Sequence, residues 1–536
     1  MSRSNTWMLR ITALTMVAVG VGCDGASDTY QRVPEHVDGI EELAQPLSVI
    51  ASCPAATGCT FVTATGALTV SLVAADVAII SKHPVSGAIL VNDVATPGAT
   101  STTVKTIAIT AAGAVHTVIM DFANGTFAPG TATVPGITID WGATAGINAF
   151  KVRGSSTAAD TVTAGQNSSG AFAVSFNTDA YADIVFTNAS KGTETYTFSL
   201  GGGNDIFGAD AVSAVARFGA SSTAMPATHA VTVYGGPGDD QFQGGLGADF
   251  FYGDAGNDTF KGGTAHVAGT KTFAGGADTD TADYSARPAS VNLVLKADGS
   301  AFSGQGVAEL NKINSDVEVL KGGAGNDTYT PDPAGLVGHA FYGGAGTDTA
   351  DYSGVGAAVT VTMADKLSND GVPTTQKDDI RDDVENLKCA TGFACTVTGN
   401  TLDNTFTVPV GSTVAHSFSG GTGIDLVDFS ALTAVAHATG LDVKMDFTAS
   451  TTNGLLINTD VENIKCPTAA IACTVVGNAA ANHIWGGGAL DTISTGAGDD
   501  IIEGVGGAVD IIDCGDGSDI LLVTSALTTP AVGCEL

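Results

Sequence analysis

Basic side chains are scarce in this chain, with 21 lysines and arginines against 55 acids and a formal net charge of −34 at pH 7. Such a surface repels nucleic acid phosphates and anionic lipid, which excludes both as electrostatic partners, and it favours cations or basic partners. Glutamate is rare as well: 10 of the 55 acids are glutamate, so 45 are aspartate. There are 9 histidines and no His-Glu-x-x-His, no Gly-x-Ser-x-Gly and no Gly-Lys-Ser/Thr. Zinc-protease, serine-hydrolase and P-loop chemistry therefore lack their motifs. No apolar run approaches the ~20 residues that span a bilayer. Aspartate and the 70 glycines both disfavour helix interiors, which argues against a helical bundle or a coiled coil. An apolar fraction of 44% and a mean hydropathy of +0.24 are too high for a disordered acidic tail. A folded, glycine-punctuated all-β architecture remains.

Its period is visible at residues 235–261. Gly235-Gly236-Pro237-Gly238-Asp239-Asp240-Gln241-Phe242-Gln243 is followed by Gly244-Gly245-Leu246-Gly247-Ala248-Asp249-Phe250-Phe251-Tyr252 and by Gly253-Asp254-Ala255-Gly256-Asn257-Asp258-Thr259-Phe260-Lys261. These are three nine-residue units with glycine first and fourth, aspartate sixth and an aromatic ring eighth. Six residues form a turn, and three form a strand whose middle side chain enters the core. Successive half-turns lie on opposite sides of a flattened roll, so residues 18 apart stack at about the ~4.8 Å strand spacing. Asp240 and Asp258 would then face each other. Carboxylates at that distance repel by roughly 1 kcal/mol in water and more in a lower dielectric. A cation must bridge them, and hard oxygen ligands suit calcium better than magnesium or zinc.

The pattern resembles the repeats-in-toxin (RTX), or haemolysin-type, calcium-binding repeat. That resemblance implies a parallel β-roll or β-solenoid folded around several Ca²⁺ ions, preceded here by a β-rich N-terminal region. It assigns the ion sites to Gly235, Gly236, Gly238 and Asp240, to Gly244, Gly245, Gly247 and Asp249, and to Gly253, Gly256 and Asp258. Degenerate copies add Asp205, Asp280, Asp327, Asp348, Asp425, Asp491, Asp500 and Asp519, with Asp510 in the closing array. Asp403 is a poorer match, and Asn482 stands in an aspartate slot. The fourth glycine is replaced at Asp278 and at Ala489.

Three modules of about 70 residues interrupt the array. Each begins with a shared element, Asp280-Thr281-Ala282-Asp283-Tyr284-Ser285, Asp348-Thr349-Ala350-Asp351-Tyr352-Ser353 or Asp425-Leu426-Val427-Asp428-Phe429-Ser430. An alternating strand follows (Val291 to Leu295, Val359 to Met363, Leu441 to Met445). After a polar loop comes Asp316-Val317-Glu318, Asp383-Val384-Glu385 or Asp460-Val461-Glu462. These modules read as structural insertions.

The chain opens with Arg3, Arg10 and the apolar run Ile11 to Val21, the form of a secretory signal peptide. Val19-Gly20-Val21-Gly22-Cys23 resembles a bacterial lipobox with Cys23 as the lipidated mature N-terminus, although Gly20 departs from the pattern. The other eight cysteines fall into local pairs, Cys53 with Cys59, Cys389 with Cys395, Cys466 with Cys473 and Cys514 with Cys534. In an exported chain these read as disulfides. The expected organisation is a signal peptide at 1–23, a tether at 24–50, a β-rich region at 51–200 and the calcium-binding roll at 201–536. Residues 51–200 read as a calcium-free continuation of the solenoid or as an immunoglobulin-like sandwich.

The functional expectation is an exported, non-catalytic calcium-binding protein with a structural or adhesive role. It is either a Gram-negative outer-membrane lipoprotein facing the exterior or a secreted protein. Its partners are calcium and, at the cell surface, polysaccharide or other components; membrane contact is through Cys23 alone. The alternative is a calcium-stabilised polysaccharide-active enzyme with its site in residues 51–200.

Overall fold

The computed structural model describes residues 58–535 apart from short stretches, the longest being 132–135, 143–146, 189–193, 265–269, 296–302, 305–308, 333–337, 434–439, 450–453, 506–509 and 524–530. The signal segment, Cys23, the 24–50 tether and Cys53 lie outside the described residues.

Three-residue strands set the character of the roll. In Gln241–Gln243, Thr281–Asp283 and Thr328–Thr330 only the middle side chain is buried. Alternation is the reason, because the pleat sends neighbours to opposite faces. The strands pair in parallel across one coil: Phe242 lies beside Phe260, and Val233, Phe251 and Phe273 follow one another on the facing wall. Rings from the two walls meet in between, with Phe242 to Phe251 at 5.5 Å, Phe251 to Phe260 at 5.8 Å and Phe260 to Phe273 at 5.9 Å between centroids. Each such buried ring stabilises the stack by about 1.5 to 3 kcal/mol.

The N-terminal strands are built the same way. Ala67–Leu72, Thr106–Ala111, Ile137–Asp140 and Ile184–Thr187 form one parallel series, and Val77–Lys82, Thr117–Asp121, Ala149–Arg153, Thr195–Ser199 and Val231–Pro237 form the other. Both series run on into the nonapeptide strands within the same two sheets. The stack is a solenoid on both sides of residue 200, and the sandwich topology is not adopted. Antiparallel strands Cys59–Val62, Ala88–Val91 and Val94–Thr100 cover its first coils, an arrangement that shields an otherwise open sheet edge. The one α-helix among the described residues, Ala211–Phe218, is capped by Asp210, which accepts the N–H of Ser213 at 3.1 Å.

Each of the three modules exchanges one sheet for another. In the first, Lys312–Ile313 ends the ten-stranded sheet that runs through Phe250–Ala255, while Asn292–Val294 opens a new one. In the second, Asp379–Ile380 ends the fifteen-stranded sheet and Val359–Thr362 opens the next; in the third, Leu456–Ile457 and Leu441–Lys444 do the same. The alternating strand of each module is thus the first strand of a fresh wall. Among the described residues three disulfides are closed, Cys389–Cys395, Cys466–Cys473 and Cys514–Cys534. The first two sit at the ends of the second and third modules.

Candidate metal sites

The sixth-position aspartates form a ladder tied by backbone donors. The N–H of Asp160 donates to Oδ1 of Asp205 at 2.6 Å, Asp205 N–H to Asp240 at 2.7 Å, Asp240 N–H to Asp258 at 2.7 Å and Asp258 N–H to Asp280 at 2.8 Å. The 18-residue stacking of Asp240 on Asp258 is therefore observed, and so is the 22-residue stacking of Asp258 on Asp280. A second ladder carries Asp327 N–H to Asp348 at 2.7 Å, Asn404 N–H to Asp425 at 2.8 Å, Asn482 N–H to Asp500 at 2.7 Å and Asp500 N–H to Asp519 at 2.9 Å. Asn404, not Asp403, holds the slot before Asp425; the spacing is 21 residues, and Asp403 instead accepts the N–H of Ile424.

The second carboxylate oxygen divides these residues into two states. In Asp205, Asp240, Asp258, Asp280, Asp348, Asp425, Asp500 and Asp519, Oδ2 is buried and accepts no hydrogen bond. All eight side chains are at most 1% exposed. Among the described residues no lysine or arginine forms an ion pair with any of them. Oδ2 is aimed into the turn of its own unit, since a Cβ placed on Gly235 or Gly253 would run into Oδ2 of Asp240 or Asp258. Gly236 and Gly238, at φ +98° and +145°, lie against the carbonyl oxygens of Gly201 and Gly203 in the coil before, a left-handed conformation open to glycine at no steric cost. Asp278, in a fourth-glycine position, takes the same region at φ 80°, so that replacement leaves the turn intact.

Asp249, Asp327 and Asp491 are in the other state. Asp327 and Asp491 begin runs, Asp249 is followed in its stack by Lys271, and in all three both oxygens accept backbone donors: Val231 and Gly245 for Asp249, Val291 and Gly323 for Asp327, Cys473 and Gly487 for Asp491. Asp160, Asn404 and Asn482 also begin runs, and each accepts a donor from its own turn, Ser155, Asn400 and Asn478 respectively. The turns of Asp249 and Asp327 lack the left-handed glycines at Gly245, Gly247, Gly323 and Gly325. These turns rest on irregular backbone rather than on another glycine turn, with Gly323 against the Arg287 carbonyl and Gly247 against that of His229, and their carboxylates close on their own N–H groups. Asp510 accepts the N–H of Asp491 at 2.9 Å and continues that run.

Burial pushes the open carboxyls up: Asp240 to about 8, Asp205, Asp258 and Asp348 to about 7, and Asp280 and Asp425 to about 6. Neighbouring carboxylates add to the rise at each. Stacked carboxylates ~4.8 Å apart repel by ~3 kcal/mol at an effective dielectric of 20. A buried anionic oxygen without a partner is costly, and here it repeats coil after coil beside backbone carbonyls. That donor set, hard oxygens alone, fits calcium, and Asp205, Asp240, Asp258, Asp280, Asp348, Asp425, Asp500 and Asp519 with their turn carbonyls are the residues that would hold it.

Some slots escaped the sequence reading. Asp160 starts the first ladder 45 residues before Asp205 without a glycine-rich turn to betray it. Lys271 occupies the aspartate slot one coil on from Asp249 on the same wall; it is 3% exposed and donates to the Gly247 carbonyl at 3.1 Å. A protein ammonium therefore stands beside Asp249, where it opposes the burial that raises this carboxyl to about 6. Next to it the buried Arg287 forms a two-pronged ion pair with Glu309 at 2.7 Å and donates to the Gly263 carbonyl at 2.8 Å. Cys389, Cys395 and His416 also lie together, but the disulfide removes both sulfurs from thiolate chemistry.

The family model of the RTX calcium-binding nonapeptide repeat matches the chain in four copies, over residues 232–265, 314–330 and 476–509. The chain carries RTX repeats, folds them as a parallel β-roll and binds calcium through them. No curated protein matches the chain significantly.

Proposed function

We propose that this protein is a non-catalytic, calcium-stiffened body working at or beyond the cell surface, held to the outer membrane through Cys23. RTX-repeat proteins are typically exported, which supports an extracellular location. The observation that carries the reading is the series of eight buried aspartates whose Oδ2 has no protein partner. Such a series binds ions along the length of a roll, and the gain is rigidity over a long distance rather than chemistry at one point. The overlapping succession of sheets from Ala67 to Val523 suits a spacer or adhesive surface, with surface polysaccharide as the kind of partner an acidic, calcium-loaded face would bridge.

The test is fractionation of expressing cells with and without calcium, combined with surface proteolysis. The reading expects an acylated chain in the outer membrane, protected from added protease only while calcium is present. A chain that stays in the cytoplasm, or whose proteolysis ignores calcium, overturns it. Turnover of acidic polysaccharide by the purified chain would overturn the non-catalytic part alone.

A further inference from the structure

The Asp-Val-Glu element of each module stands at the end of an aspartate run. Glu318 accepts the N–H of Asp280 at 2.8 Å, Glu385 that of Asp348 at 2.6 Å and Glu462 that of Asp425 at 2.9 Å. Asp258 holds the N–H of Asp240 in the same way at 2.7 Å. Strand register agrees, since Val319 pairs beside Thr281, Asn386 beside Thr349 and Asn463 beside Leu426. The three glutamates are therefore ladder residues, one methylene longer than aspartate, in coils that have lost the glycine turn. Val317, Val384 and Val461, fully buried, anchor each element in the core.

The lost turn is replaced by side-chain oxygen. Gly201 N–H donates to the Gly235 carbonyl of the following turn at 3.1 Å. Leu200 N–H, one residue earlier, donates to the Tyr234 carbonyl at 2.9 Å. At the ends of the second and third runs the donors in these two positions meet a carboxylate: Gly343 and Gly344 donate to Asp383 at 3.1 and 3.0 Å, and Gly420 and Gly421 to Asp460 at 3.0 and 3.3 Å. The space above Gly420 is bounded by Oδ2 of Asp425 and the Asp460 carbonyl oxygen, as that above Gly235 is bounded by Oδ2 of Asp240 and the Gly253 carbonyl oxygen. Oδ2 of Asp280, Asp348 and Asp425 has no hydrogen-bond partner, all three side chains are 0% exposed, and each oxygen points over the first glycine of its turn. Oδ1 of Asp316 is likewise buried without a partner.

We infer that Glu318, Glu385 and Glu462 complete the divalent-cation sites of Asp280, Asp348 and Asp425 as hybrids of one nonapeptide turn and one Asp-Val-Glu turn, which close the calcium runs at the module boundaries. The inference rests on calcium binding by the nonapeptide turns. Carboxylates stand where a consensus neighbour would offer neutral carbonyls, so these sites carry more negative charge than the sites between two glycine turns. Charge count is one of the terms that tighten calcium, which makes the boundary sites the first to fill. A module would then be pinned at its entrance by an ion and, in the second and third cases, at its exit by a disulfide.

Native mass spectrometry and equilibrium dialysis of the full chain with calcium alone count the ions. The variant Glu318→Gln/Glu385→Gln/Glu462→Gln keeps an oxygen for the Asp280, Asp348 and Asp425 N–H groups and removes only the charge. It is expected to lose three calcium equivalents per chain, those that bind at the lowest free calcium. Asp240→Asn/Asp258→Asn is expected to lose later-filling equivalents and to keep the first three. An unchanged ion count in the triple variant, with calcium bound by the parent, overturns the inference and leaves the glutamates as N–H acceptors only. A parent chain that binds no calcium overturns the proposed function itself. Should the triple variant fail to recover its β-signal in calcium, the single variants are read instead, each expected to lose one equivalent, and three unchanged counts refute the assignment.

Discussion

The backbone N–H of Asp240 donates to Oδ1 of Asp258 across 2.7 Å, while Oδ2 of both residues is buried with no partner in the protein. One oxygen of each carboxylate thus fixes the register between coils, and the other is left to a cation. Replacing Asp258 removes both functions. Asp258→Ala is expected to blunt the calcium-induced gain of β-signal and compaction, measured by circular dichroism and small-angle scattering, whereas Glu41→Ala in the tether leaves both unchanged. Equal responses would mean that the ladder is not the binding element.

Chelation acts on the whole run. The roll is expected to expand when calcium is withdrawn and to recompact on its return, because the ion neutralises stacked carboxylates and its binding free energy is folding free energy. Affinities are expected in the ~10⁻⁴ to 10⁻³ M class of extracellular modules, with the boundary sites tighter. A thermal scan that does not move with calcium would contradict this.

Calcium binding and stability should depend on pH in opposite senses. The folded carboxyls of Asp240 and Asp258, raised to about 8 and about 7 from an ordinary 3.8, bind protons that the unfolded chain has released. Without calcium, their contribution to stability is therefore full below the ordinary carboxylate range and is lost as pH rises to about 8. Calcium needs the ionised form, so its affinity rises across the same interval and binding expels protons. Calorimetry in buffers of different ionisation heat should find proton release at pH 6 that has vanished by pH 9, and calcium-free denaturation should show stability falling between pH 5 and 8.

Lys271 gives Asp249 a cation that cannot be chelated. Lys271→Met leaves that carboxylate buried beside an apolar chain, at a cost of about 3 kcal/mol, and the loss should appear in urea titrations with and without calcium alike. Lys271→Met/Asp249→Asn should recover most of it. A destabilisation that saturating calcium abolishes would show that the ammonium and the ion are interchangeable at this slot.

Mass analysis of the mature chain after alkylation without reduction should find no labelled thiol and an acyl group on Cys23. Opening Cys514–Cys534, which closes a separation of 20 residues, should cost about 3 kcal/mol by the loop-entropy estimate. A mature N-terminus other than Cys23 would refute the anchor, and readily labelled thiols would refute the pairing.

The nine-residue period, the inward phenylalanines and the aspartate ladder from Asp240 to Asp280 were legible in the amino-acid order, because a short strand and its turn are local structures whose spacing is written directly. The three later disulfides were legible for the same reason. What the order did not show was which ladder carboxylates are open and which are closed. Asp327 and Asp348 carry the same motif, yet Asp327 has no like turn beneath it and closes on Gly323, while Asp348 stacks on the turn of Asp327 and keeps Oδ2 free of any partner. The slip from Asp403 to Asn404 has the same origin, since a one-residue shift of register moves every side chain to the other face and only packing in the neighbouring coil selects the register. Asp160, Lys271 and the three glutamates belong to the ladder through partners 24 to 45 residues away, across insertions whose lengths follow no period. Local spacing determined the repeating unit; the stacking of one coil on the next decided where each carboxylate finds its counter-charge.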